Sequence, residues 1–89
     1  MISDKDKNII LQNAKKYKVS QVILFGSSIA EGIDANDIDV AIKGIERRKF
    51  FKFYAELFKA LSKPVDLIDL SEKSLFNKII EETGVKIYG

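Results

Sequence analysis

The sequence predicts a small α/β domain, an α+β arrangement in which a mixed β-sheet is flanked by helices. Three observations point there. Short runs of branched apolar residues alternate along the chain with segments of helical periodicity. The composition, 46% hydrophobic and 31% charged, is that of a chain able to build a core. With 89 residues, one modest core is the expected limit, so residues 1–89 are read as a single domain with little room for a separate substrate-binding lobe.

The elements follow in order. Ser3 can cap a helix, with Asp6 three residues on, and Ile9, Ile10, Ala14 and Tyr17 then share one side, which predicts a helix from Asp4 to about Tyr17. The stretch VSQVILF, Val19 to Phe25, reads as a buried strand ending at Gly26. After a loop containing Gly32, DIDVAI alternates, placing Asp37, Asp39 and Ala41 on one face and Ile38, Val40 and Ile42 on the other. From Glu46 to about Ser62, Phe50, Phe53, Tyr54, Leu57 and Leu61 recur at helical intervals, and Phe51 and Phe58 are read as widening that core stripe, with any ring so small a domain leaves uncovered marking a protein interface. Pro64 stops the helix, and VDLIDL from Val65 to Leu70 is a third strand with Asp66, Ile68 and Leu70 facing one way. A last helix capped by Ser71 carries Leu75, Phe76, Ile79 and Ile80, before Gly84 and the short run VKIYG.

Composition excludes several chemistries. The chain has no Cys and no His, which removes thiol nucleophiles, Ser-His-Asp triads and imidazole zinc sites. Catalysis, if present, must use carboxylates, hydroxyls, Lys or Arg. A net charge of +2 is too small to argue for nucleic acid. The basic run Arg47, Arg48, Lys49 and Lys52 reads more simply as a solvated helix start, so nucleic-acid binding is not expected. MISDKDKN lacks the apolar core of a signal peptide, and no run approaches the roughly 20 apolar residues of a bilayer span. No membrane association and a cytoplasmic location are therefore expected.

Two acids inside an apolar strand need an explanation, because a half-buried carboxylate without a cation or strong hydrogen bonds is costly. Asp37 and Asp39 fall on one face about 7 Å apart, the two-residue repeat of a strand. If the strand bearing Asp66 is a neighbour, three negative charges gather. Divalent cations relieve such repulsion, and oxygen-only donors point to Mg²⁺ or Mn²⁺ ahead of zinc. Two ions roughly 3.5–4 Å apart suit in-line transfer at phosphorus. Gly26 and Ser27 fit the same chemistry, since glycine lets the backbone approach a triphosphate and a hydroxyl donates to a phosphate oxygen. Other phosphate loops fit poorly. Gly32 is followed by Ile33 and Asp34 rather than Lys and Ser or Thr, and the three spaced glycines of a dinucleotide site are absent. Asp69 alternates out of phase with Asp66 and is read as facing solvent or a Lys.

Together these residues resemble the minimal nucleotidyltransferases (MNT) of the DNA polymerase beta superfamily, which includes kanamycin nucleotidyltransferase. The resemblance spans nearly the whole chain. That family carries Gly-Ser after the first strand, nine or ten residues, Asp-x-Asp in the next strand and a third Asp in a later one. Here these are Gly26-Ser27, Asp37-Ile38-Asp39 and Asp66 in PVDLIDL, with nine residues between Ser27 and Asp37. The ending GVKIYG is also similar to that of many members.

The resemblance implies that Asp37 and Asp39 bind two magnesium ions, that Asp66 binds the catalytic one and helps activate the incoming hydroxyl, and that Gly26 and Ser27 hold the phosphates. It implies transfer of a nucleoside monophosphate, AMP from ATP first, to a hydroxyl on a protein or small molecule, with pyrophosphate released. In many MNT/HEPN toxin-antitoxin pairs the acceptor is a tyrosine of the HEPN-type helical partner, which makes such a protein the first candidate and an antitoxin role the natural setting. Homo-oligomerisation is left open. The chain departs from the family at Glu31, where many members have Arg before the second glycine, at Asn36, where they have Ser, and in a Gly26–Gly32 spacing one residue longer. A Glu beside a triphosphate should weaken nucleotide binding. The alternative is therefore a catalytically weak or inactive subunit or antitoxin of the same fold that acts by protein binding.

Overall fold

Apolar periodicity sorts the chain into two faces of one sheet. The computed structural model describes residues 2–30 and 36–89. Over these the elements run α1 (Asp4–Lys16), β1 (Gln21–Leu24), a short 3₁₀ turn (Gly26–Ile29), β2 (Ile38–Lys43), a second 3₁₀ turn (Arg47–Lys49) leading into α2 (Phe50–Ala60), β3 (Val65–Asp69), α3 (Leu75–Thr83) and β4 (Val85–Tyr88). The strands form one mixed sheet in the order β3-β2-β1-β4. β1 is antiparallel to both β2 and β4, whereas β2 and β3 are parallel and joined through α2.

Helices α1 and α2 cover one face. Ile10 and Ala14 of α1, Phe53 and Leu57 of α2, and Val22, Leu24, Val40, Ile42, Val65 and Leu67 of the strands form the main core. The ring of Phe53 meets that of Tyr17 edge to face. Helix α3 crosses the other face more sparingly, where Ile80 packs with Ile23, Ala41 and Leu70. Gly84 lets the chain turn from α3 into β4 at close quarters, since a Cβ there would sit 2.4 Å from Ile23 Cγ2 and 2.7 Å from the Ile80 carbonyl oxygen.

Several boundaries differ from the sequence reading, each for a local reason. The first turn of the second predicted helix is 3₁₀, and Leu61 is extended although still buried. The cap of α3 is Ser74, whose hydroxyl accepts from the Asn77 N–H at 3.0 Å. Ser71 instead donates its own N–H to Asp69 Oδ1 at 2.9 Å, closing the turn after β3. Asp69 is thus half-buried and capping a turn, rather than facing solvent or a Lys. The run VKIYG, left unassigned above, supplies β4. Phe51 and Phe58 are not core: they are 77% and 66% exposed. At 3.6 residues per turn they lie about 160° and 140° around the helix from Phe53, on its outer side.

Candidate active site

The site begins where β1 ends. Phe25 is still extended, and its N–H donates to the Asp39 carbonyl oxygen at 3.2 Å, so residue 25 continues the pairing of Leu24 with Val40. On the other flank Asp39 is in register with Asp66 of the parallel β3. Strand alternation sends Val40, Val65 and Leu67 into the helical core, which leaves Phe25, Asp39 and Asp66 as one row across three strands on the opposite face. A row of this kind brings neighbouring side chains to within about 5 Å.

Gly26 then turns the chain sharply. Its φ of +58° lies in the left-handed region, and a Cβ there would fall 2.6 Å from Asp39 Oδ2. Glycine is therefore required twice, by backbone conformation and by the carboxylate resting on its Cα. The following 3₁₀ turn clasps Asp39 on two sides. The Ser27 hydroxyl donates to Asp39 Oδ2 at 3.3 Å, and the Ser28 hydroxyl accepts from the Asp39 N–H at 2.7 Å. Ser28 is buried and was not singled out in the sequence, where nothing separates it from an ordinary loop serine.

Asp39 is half-buried, and loss of water pushes its carboxyl above the ordinary carboxylate range. The hydroxyl and N–H of Ser27 pull the other way, while the charges of Asp66 and Asp37 add to the upward push.

Asp37 stands one residue before β2 rather than within it, exposed at the strand's mouth. It borders a cleft of about 150 Å³ shared with Ser3, Asp6, Ser28, Ser62 and Lys63. The structure thus sets Asp39 beside Asp66 and places Asp37 close enough for its charge to act on Asp39. Among the described residues no three acids already enclose one point where a metal could sit. The donor set nonetheless suits a hard divalent cation: every candidate ligand is a carboxylate, ionised Asp39 is disfavoured by burial first and by its neighbours' charge second, and the Asp37 and Asp66 side chains are exposed. Glu31 and Gly32 lie outside the described residues.

Behind the cleft, Asp6 is buried in the first turn of α1 and accepts from the Ser62 hydroxyl at 2.5 Å and the Ser62 N–H at 3.1 Å. Burial alone would raise its pKa. The bonds from Ser62 and Ser3 and the charge of Lys5 outweigh this and hold the carboxyl below the usual range. This contact fixes the loop that delivers Pro64 to β3, and the Pro64 carbonyl in turn accepts from the Ile38 N–H at 2.8 Å. Asp6 thus ties α1 to the segment that leads into β3, the strand that carries Asp66. Among the described residues no helix is long and apolar enough to cross a membrane.

Comparison with known proteins gives three findings. Residues 7–89 match the family described as polymerase beta, nucleotidyltransferase. A search of curated protein sequences finds no match. Among solved structures, the chain is similar to one described as a toxin-antitoxin with AMP-PNP, with 27% identity and a TM-score of 0.76 over 93% of this chain and 73% of that one. It is also similar to the toxin-antitoxin MntA-HepT, at 24% identity and a TM-score of 0.73 over 98% and 73% of the two chains. A third is a tri-AMPylated Shewanella oneidensis HEPN toxin in complex with MNT antitoxin, at 24% identity and a TM-score of 0.72 over 94% and 70%.

Proposed function

The chain belongs to the polymerase beta nucleotidyltransferase family, and from that premise we propose that it transfers a nucleoside monophosphate, AMP from ATP, to a hydroxyl of a HEPN-type helical partner. The observation that carries this reading is the row of Asp39 and Asp66 on one sheet face, pressed against the Gly26 corner. The similar structures described with AMP-PNP and with an AMPylated HEPN toxin support the nucleotide and the partner.

Each group has a task. The Gly26–Ser27 turn holds the phosphates, its backbone open to close approach, and the Ser27 hydroxyl exchanges its Asp39 acceptor for a phosphate oxygen when the nucleotide binds. Asp37, Asp39 and Asp66 would hold magnesium, which when bound supplies charge neutralisation and lowers the pKa of the attacking hydroxyl. The acceptor oxygen forms a bond to the α-phosphorus as the bond to the bridging oxygen breaks, and pyrophosphate leaves with that electron pair. Asp66, exposed at the edge strand, is placed to take the hydroxyl proton.

A second reading is favoured by a separate observation. Phe51 and Phe58 expose two rings on the outer side of α2, where large aromatic side chains are ordinarily buried. On this reading the chain acts as an antitoxin through binding, with weak or no catalysis. Radiolabel transfer from α-labelled ATP to the co-expressed partner, with Mg²⁺ present, separates the two. Transfer that disappears in Asp37→Ala and Asp39→Ala is the expected result. A folded wild type that labels no acceptor yet still binds the partner would leave the binding reading standing.

A further inference from the structure

Resting on the nucleotide reading above, the geometry points to a base-binding platform: Phe76 of α3, backed by Phe25, stacks against the base of the bound nucleotide.

The residue row that carries the acids does not end with them. Phe25 occupies the β1 position beside Asp39, on the same sheet face, and is followed directly by the Gly26 corner. Its ring meets that of Phe76 edge to face, with centroids 6.2 Å apart and planes at 88°. Phe25 is half-buried against the small core under α3, so it is fixed in place. Phe76 rests on it by an edge contact and remains 55% exposed. An edge-to-face pair leaves a ring face available, and an aromatic held by one neighbour in this way is a preformed stacking surface.

Connectivity then selects the occupant. With its phosphates on Gly26 and Ser27 and its α-phosphorus before Asp39 and Asp66, a nucleotide can direct sugar and base either past the strand ends into water or back across the sheet face. The second course meets Phe25, the neighbour of Asp39 in the row, and then Phe76, which packs on Phe25. The tether to the phosphates makes this encounter intramolecular, so a small stacking surface is enough, whereas a protein segment would need far more contact area. A phenyl ring offers a base stacking area and no hydrogen bonds to its edges, which predicts that purines are preferred over pyrimidines for their larger stacking area.

The test compares binding of ATP and of inorganic tripolyphosphate, with Mg²⁺, to the wild-type chain and to Phe76→Ala and Phe76→Leu. Stacking predicts that wild type binds ATP more tightly than tripolyphosphate, and that Phe76→Ala weakens ATP about fivefold or more while leaving tripolyphosphate unchanged. Phe76→Leu keeps the apolar contact with Phe25, so it should melt like wild type yet lose the ATP preference. The chain has no Trp, so Phe76→Trp adds a lone reporter whose fluorescence ATP should quench and tripolyphosphate should not. Unaltered ATP affinity in Phe76→Ala, whether or not partner binding falls, would overturn the platform and leave the nucleotide reading intact. Wild type that binds neither ligand would overturn both.

Discussion

Position 26 shows how much of the site rests on a single residue. Replacing Gly26 by Ala imposes about 1–2 kcal/mol of left-handed strain and pushes a methyl group into Asp39 Oδ2. We expect Gly26→Ala to lower the melting temperature by several degrees, by roughly 4–8 °C per kcal/mol in a domain this size, and to reduce AMP transfer far beyond the loss of folded protein. Unchanged transfer would show that the carboxylate's seat on Gly26 has no catalytic meaning. Asp39 makes the complementary case. Its folded pKa is raised, so the stability it contributes is present below its ordinary value and lost as pH rises through the folded one, and the ionised group strains the fold at neutral pH. With chelator present, Asp39→Asn should therefore melt at or above the wild-type temperature at pH 7, and in separate assays with Mg²⁺ it should lose transfer that wild type performs. A lower melting temperature would contradict that strain. The shared face of Asp39 and Asp66 was readable because strand alternation turns sequence spacing into a side of the sheet, whereas Asp37, one residue before β2, escapes that rule. The clasp by Ser28 was not, because it depends on where the turn after Gly26 carries a hydroxyl.

Among the elements, α1 acts on the site without touching it. Asp6 joins its first turn to Ser62 in the loop before β3, and so helps to set the register that brings Asp66 beside Asp39. Its folded pKa is depressed, so its stabilisation is fully present above the ordinary value of 3.8 and is lost as pH falls through the folded one. Removing a buried, charge-assisted acceptor costs about 1.5–3 kcal/mol. Asp6→Ala should show that deficit in urea unfolding at pH 7, with the gap to wild type narrowing once pH drops below 3.8. A deficit constant down to strongly acid pH would mean that shape, not charge, is what Asp6 contributes. Sequence showed Ser3 as a cap and Asp6 as its partner, which is right for the backbone N–H. It could not show Ser62, because a contact across most of the chain has no periodic signature. The start of α3 illustrates the same limit. Ser71 and Ser74 are chemically equal caps, and Asp69, by taking the Ser71 N–H, decides between them.

Across the whole molecule the sheet is covered unequally, and that inequality is what leaves a site. Two helices seal one face, whereas α3 alone crosses the other, so the ends of β2 and β3 stay open there and acids can sit on a sheet without being buried under one. Strand order, which places β3 next to β2 and sets Asp66 beside Asp39, was only a condition in the sequence, since pairing partners leave no local mark in a chain this short. The aromatic stripe of α2 was read too wide because six aromatic and aliphatic residues in one helix suggest a core even where their angles do not. Phe51 and Phe58 point away from it and expose their rings two turns apart. Among the described residues Phe51 meets only the edge of Phe50 and neither ring joins the core, so Phe51→Asp with Phe58→Asp should change unfolding free energy by only about 0.5 kcal/mol per site, the ordinary range for surface positions. Co-purification with the helical partner should fall sharply if this outer side of α2 is the surface the partner covers, and label transfer to that partner should fall with it. Transfer to the partner that persists at the wild-type rate would place the docking surface elsewhere, and the exposed rings would then need another account.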